Sequence, residues 1–240
     1  MSGAVYAVVP AAGAGKRMGS TTPKQYLELA GRTVLEHTLW RLAGLSSIQK
    51  VVVAISVGDE YFEALRSRLP GKVSTAPGGA ERCHSVLSAL HVLAADAEPD
   101  DWVLVHDAAR PCVRIEDLER MLSALGDSEV GGILAAPVRD TLKRCDASGA
   151  IVATVDRTAL WHALTPQMFR LGTLTRAIES ALAAGVMVTD EAQAIERIGL
   201  TPRVVAGSAD NLKITHPEDL ALAAMILAAQ ANVARGGTTQ

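Results

Sequence analysis

At 240 residues, 49% of them hydrophobic and 20% charged, the chain suits one large α/β domain over residues 1–240, which needs no disulfide or structural metal to hold its core. Its formal net charge of −3 excludes a chain-wide basic field for nucleic acid, so any basic site is local. No run approaches the roughly 18 apolar residues that cross a membrane. The three cysteines, Cys83, Cys112 and Cys145, are odd in number and form no CxxC pair, so reduced thiols in a cytoplasm are expected.

In chain order, Val5–Pro10 is a β-branched apolar run that reads as a buried strand. It could pass for a secretion signal, but a basic leader is missing and the apolar run is only about six residues. Val51–Ser56 and Val103–His106 read as further strands buried on both faces, and Gly132–Val138 reads the same way. Between them, Glu81–Ala94 is helical: Val86, Leu87, Leu90 and Leu93 share one face. Strand–helix alternation predicts an α/β doubly wound, mostly parallel sheet with helices on both faces. The stretch 137–160 breaks the pattern. Thr141–Cys145 and Ile151–Val155 flank Asp146-Ala-Ser-Gly149, a tight turn with Asp first and Gly last, which predicts a projecting β-hairpin. Such an arm cannot bury its apolar side chains alone. A partner subunit could cover them, giving a homodimer, or the hairpin could fold back on its own domain. Thr189-Asp-Glu-Ala predicts a helix N-cap at Thr189 followed by acids. Pro217 fits the first turn of a C-terminal helix through Leu220, Ala224 and Leu227.

Three constellations carry chemistry. The first strand runs into PAAGAGKRMG and then STTPK, from Pro10 to Lys24. Glycines let a backbone approach a ligand closely and aim N–H groups at phosphate oxygens. The loop is no Walker P-loop, because Gly-Lys-Ser/Thr is absent, and it departs from GxGxxG because Gly19 comes one residue late. Arg17 and Lys24, on a loop at a strand's carboxyl end, suit a triphosphate. In Val105-His-Asp-Ala-Ala-Arg-Pro111, Asp107 leaves a strand facing the ligand crevice, where it could hold a hydroxyl, help to place Mg²⁺, or simply pair with Arg110. In Gly78-Gly-Ala-Glu-Arg-Cys-His-Ser85, two glycines open a helix whose first N–H groups are unpaired, and Arg82 and Ser85 share a face. That end could read a base edge or a phosphate, or could be a capped helix start. Thr141, Arg157, Thr189 and Lys213 are dispersed, and spacing alone cannot unite them. The six histidines lack metal-ligand spacing, and neither a Gly-x-Ser-x-Gly elbow nor a Cys–His pair is present.

These motifs, in order with PKQYL, PVRDTLK, LWHALTPQ, TDEA and ADNLKITHPEDL, resemble the 2-C-methyl-D-erythritol 4-phosphate cytidylyltransferases over nearly the whole chain. The resemblance implies a nucleotide-diphospho-sugar transferase-like fold and an arm-exchanged homodimer. It also implies transfer of a cytidylyl group from CTP to methylerythritol phosphate, with Mg²⁺ carried mainly by the triphosphate. By similarity, Pro10, Ala11, Ala12, Gly13, Gly15 and Lys16 bind the nucleotide, with Gly79, Ala80, Arg82, Ser85 and Ala108 on the cytidine side. Arg17 and Lys24 would stabilise the transition state. Asp107, Arg110, Thr141, Arg157, Thr189 and Lys213 would hold the acceptor, Thr141 and Arg157 coming from the partner's arm. Ala80 departs from relatives that carry Asp there. No fused cyclase region is expected downstream. The rival readings are a cytidylyltransferase for another polyol phosphate, such as ribitol phosphate, and a non-catalytic nucleotide-binding protein. A nicotinamide-linked dehydrogenase and an interaction scaffold fit the basic glycine loop less well.

Overall fold

The computed structural model describes residues 3–13 and 22–236. The central sheet has seven strands: β1 (Val5–Pro10), β4 (Ile48–Ile55), β5 (Val73–Pro77), β6 (Trp102–Val105), β7 (Gly131–Pro137), β10 (Trp161–Arg170) and β11 (Arg203–Ala206). Their order is β11-β7-β10-β6-β1-β4-β5; β2 (Glu28–Leu29) and β3 (Arg32–Thr33) pair in a small sheet of their own, and the short helix α2 (Glu60–Leu65) follows β4. β1, β4, β5 and β6 run parallel, and β11 runs parallel to β7. β10 runs antiparallel between β6 and β7. The predicted mostly parallel sheet is therefore present with one reversed strand, and that strand joins its two parallel halves.

Alternation along β1 divides the core. Val5, Ala7 and Val9 face α1 (Val34–Gly44) and α4 (Ile115–Leu125), packing with Leu35, Leu39, Leu118 and Met121. Tyr6 and Val8 face the other layer, formed by α3 (Arg82–Leu93), α5 (Leu171–Ala183) and α6 (Glu191–Arg197). Each fully buried Leu or Val in these layers contributes about 1.5–3 kcal/mol. The start of α1 is fixed by a capping box, in which Thr33 and Glu36 each bond the other's backbone N–H. A third cluster packs α7 (Pro217–Gly236) through Ala223 and Leu227 against Leu29, Val34, Cys112 and Ile214. That cluster draws the segment carrying Lys213 to the carboxyl ends of the strands.

The arm forms as expected. β8 (Leu142–Cys145) pairs antiparallel with β9 (Ile151–Val155) in a sheet of its own. Asp146 Oδ1 accepts from the backbone N–H groups of Ser148 and Ala150, and Gly149 takes φ +87°, which an L side chain rarely tolerates. Ile151 and Val152 stay exposed at 64% and 58%.

Candidate functional site

A crevice of about 340 Å³ opens at the carboxyl ends of β1 and β6. Its floor begins where β1 ends. Gln25, buried in the middle of a short 3-10 turn, donates from Nε2 to the carbonyls of Ala11 (2.6 Å) and Gly13 (3.1 Å). This holds the described part of the loop in a fixed turn. Ala11 N–H bonds the Ala54 carbonyl at 2.8 Å, so the loop leaves the sheet alongside β4. Gly78 approaches closely from the other side: a Cβ there would collide with the Ala12 side chain and lie 3.0 Å from the Ile55 carbonyl oxygen. Only glycine lets these two loops touch.

Of the predicted nucleotide-side residues, Pro10, Ala11, Ala12, Gly13, Lys24, Gly79, Ala80, Arg82, Ser85 and Ala108 all line this crevice. Gly15, Lys16 and Arg17 lie outside the described residues. Lys24 Nζ reaches the Ile214 carbonyl at 2.9 Å, so the donor loop is tied to the segment that carries Lys213. Ser85 has a local role at the crevice wall: its hydroxyl accepts from Gly79 N–H at 3.0 Å and donates to the Glu81 carbonyl at 3.3 Å. It shapes the glycine turn. Arg82 likewise spends its guanidinium on carboxylates, with Glu191 at 2.7 and 3.0 Å and Asp107 at 3.1 Å.

Asp107 is the hub. It is 7% exposed, and its Oδ2 meets Lys213 Nζ at 2.8 Å and Arg110 Nε at 3.5 Å, while Oδ1 meets Arg82. Burial alone would push its carboxyl pKa up. Arg82, Lys213 and Arg110 together outweigh that and hold it well below the usual carboxylate range. Arg110 lies behind the crevice and is anchored through Nη1 to the Asn211 carbonyl at 2.7 Å. The Asp107–Arg110 pair that spacing allowed is therefore real, but it belongs to a larger cluster. Lys213 and Asp107 line the crevice together, from segments far apart in sequence.

The remaining acceptor-side candidates do not join them within one chain. Thr141 and Arg157 are exposed on the arm. Thr189 is exposed and bonds Gln193 Oε1 through its N–H at 2.8 Å. The predicted N-cap at Thr189 is corrected by one residue: Asp190 caps α6, accepting from Gln193 N–H at 3.0 Å. Asp190 has the extended backbone a cap needs, so its carboxylate reaches the third N–H of the helix.

Sequence reading missed the residues behind the hub. Thr165, on β10, accepts from Asp107 N–H through Oγ1 at 3.1 Å, and its carbonyl accepts from Asn211 Nδ2 at 2.7 Å. His106 sits behind Thr165 at 2.9 Å. Thr165, Asn211 and Glu191 fall inside the motifs LWHALTPQ, ADNLK and TDEA, but nothing in their spacing marks them as neighbours of Asp107. Among the described residues, no group of three His, Cys, Asp or Glu side chains could hold a metal. Both Asp107 oxygens already face cations, so this pocket does not present Asp107 as a magnesium ligand.

The fold and the crevice define an α/β nucleotide-binding protein with lysines and arginines gathered where a polyphosphate would lie. The family model for 2-C-methyl-D-erythritol 4-phosphate cytidylyltransferase matches residues 5–229, and the chain belongs to that family. The cytidylyltransferase of Pseudomonas putida KT2440 is 55% identical over 218 residues, covering 90% of this chain and 93% of its own. That of Vibrio parahaemolyticus is 54% identical over 221 residues, covering 92% and 94%. The crystal structure of the Francisella tularensis cytidylyltransferase superposes with a TM-score of 0.78 at 37% identity, covering 93% of this chain and 99% of that one.

Proposed function

We infer that the protein is a cytidylyltransferase of isoprenoid precursor biosynthesis. It transfers the cytidylyl group of CTP to 2-C-methyl-D-erythritol 4-phosphate, releasing pyrophosphate and forming 4-diphosphocytidyl-2-C-methyl-D-erythritol. The observation that carries this reading at the site is Lys24 and Lys213 lining one crevice with the glycine turns of both flanking loops.

An acceptor phosphate is already anionic and needs no general base. Its oxygen attacks the α-phosphorus of CTP, a new phosphorus–oxygen bond forms, and the bond to the bridging oxygen breaks, leaving pyrophosphate. The work required is positioning and charge stabilisation. In this reading Arg17 and Lys24 contact the α-phosphate as charge builds there, and Gly79 and Ala80 present backbone groups to cytosine. Lys213 and Asp107 form the acceptor side. Lys213 keeps Asp107 Oδ2 as its positioning partner and gives its remaining N–H donors to the incoming phosphate, while Arg110 stays with Asp107.

Two further parts belong to the same reading. Magnesium enters with the triphosphate and supplies charge neutralisation there. The working unit is a homodimer in which the arm brings Thr141 and Arg157 to the partner's crevice. The exposed Ile151 and Val152 of the arm, and Trp161 beside it at the start of β10, support it. A cytoplasmic location accords with three unpaired cysteines.

The test is pyrophosphate release with CTP, Mg²⁺ and methylerythritol phosphate, beside ribitol phosphate and the other nucleoside triphosphates. Release that needs both CTP and methylerythritol phosphate is expected. Arg17→Ala or Lys24→Ala should lower kcat by roughly 10²–10³, the scale of one lost preorganised donor. Release only with another acceptor would overturn the pathway, and nucleotide binding without release would make this a sensor.

A further inference from the structure

Glu191 does not line the crevice, yet among the described residues it is one of the most deeply buried charged groups, at 2% exposure. It opens α6, whose first turn is pinned to β10 by Gln167. The Gln167 side chain accepts from Ala192 N–H at 2.7 Å and donates to Asp190 Oδ2 at 2.9 Å. From there Glu191 takes both terminal nitrogens of Arg82, Nη1 at 2.7 Å and Nη2 at 3.0 Å. Arg82 keeps only Nε for Asp107 Oδ1. Asp107 Oδ2 is thereby left to Lys213 and Arg110.

A bidentate guanidinium–carboxylate pair is the strongest arrangement open to either group. If Glu191 did not occupy the outer fork of Arg82, the nearest carboxylate for that fork would be Asp107. Closing on it with two parallel bonds would bring a third donor to Oδ2, which already takes Lys213 and Arg110, and would weaken the hold of Asp107 on Lys213. We propose that Glu191 is a positioning residue for the transfer reaction. By holding the outer fork of Arg82, it reserves Asp107 Oδ2 for Lys213 and Arg110 and so sets the acceptor side of the crevice. This rests on the reading that Lys213 and Asp107 serve the acceptor phosphate.

The experiment uses the full chain and steady-state kinetics in each substrate separately. Glu191→Gln keeps the shape and removes the charge. It is expected to raise KM for methylerythritol phosphate roughly tenfold, the size of one lost charge-assisted hydrogen bond, and to change KM for CTP less than about twofold. Adding Arg82→Gln removes the released fork. The double variant is expected to bring the acceptor KM back toward wild type, which a merely structural loss in α6 would not do. An acceptor KM that stays put in a folded Glu191→Gln protein overturns the proposal. So does a double variant no better than the single one. Should Glu191→Gln not fold, Glu191→Asp decides: it keeps the charge but shortens the reach, and the same split is expected at about threefold. No split there overturns the proposal too. A wild-type protein that forms no product sinks the functional reading itself. An active wild type with unaffected variants sinks only the role of Glu191.

Discussion

His106 directly follows the central strand β6, wholly buried, and its protonation state can be read from its neighbours. Nε2 lies 3.0 Å from the Arg110 carbonyl, which can only accept, so Nε2 carries the proton. Nδ1 then accepts from the Thr165 hydroxyl at 2.9 Å, and the Thr165 oxygen accepts from Asp107 N–H at 3.1 Å. Burial lowers the imidazole pKa from 6.5 to about 4. The unfolded chain therefore binds this proton near pH 6.5 and the folded chain resists it until about pH 4. Stability from this residue is complete above pH 6.5 and is lost as pH falls toward about 4. The gap between 6.5 and about 4, at about 1.4 kcal/mol per pH unit, amounts to about 3 kcal/mol. That is a large share of the roughly 5–15 kcal/mol that holds a typical domain together. The assay is denaturant unfolding at steps from about pH 7 to about pH 4.5, with wild type beside His106→Gln, which cannot titrate. All other groups cancel in the difference between the two curves. Wild type should lose about 2–3 kcal/mol more than the variant across that window. Parallel curves, or an imidazole proton resonance for His106 that titrates near its ordinary value, would refute the reasoning.

Two further outcomes follow from geometry. Gly78→Ala forces the loops at Ala12 and Ile55 apart, so CTP affinity measured by titration calorimetry should fall roughly tenfold with a stability loss of about 1–3 kcal/mol. Gly71→Ala, with open space around its Cβ, should change neither. Mixing Arg157→Ala with Lys24→Ala subunits should restore roughly a quarter of wild-type activity, because half of the dimers would carry one intact site each. No recovery after verified exchange would count against an arm shared between subunits.

Much of the fold could be read in advance where burial is two-sided. Val5–Pro10 and Val51–Ser56 are apolar at nearly every position because helices cover both faces of the sheet there. The edge strands β5 and β11 gave no such signal: each is only four or five residues long with one buried residue, too short an apolar run to stand out from a loop. β10 was hidden for another reason. Its Pro166 argues against a strand interior, and the structure accommodates it at a break in register between Ala163 and Gln167 opposite β7. The arm was legible because its turn chemistry is local: Asp146 and Gly149 specify the reversal by themselves.

The site divides along the same line. Its donor side is built by short-range chemistry, with glycines, a strand end and Lys24 within one stretch, and a sequence displays that directly. Its acceptor side is built by charges that meet only after folding. Arg82 and Glu191 are 109 positions apart, and Lys213 reaches Asp107 from a segment held in place by α7. Spacing carries no trace of such meetings, but the energetics explain why they must be complete. Arg82, Arg110 and Lys213 against Asp107 and Glu191 are three cations against two carboxylates, which leaves one positive charge in the cluster. A chain with a net charge of −3 thus keeps a cationic crevice by burying carboxylates among the cations that line it. Removing either carboxylate would leave a buried cation free to pair elsewhere, and the nearest alternatives are the groups that face the acceptor. The carboxylates therefore govern where the cations point, and that direction, more than the number of cations, decides what the crevice can align.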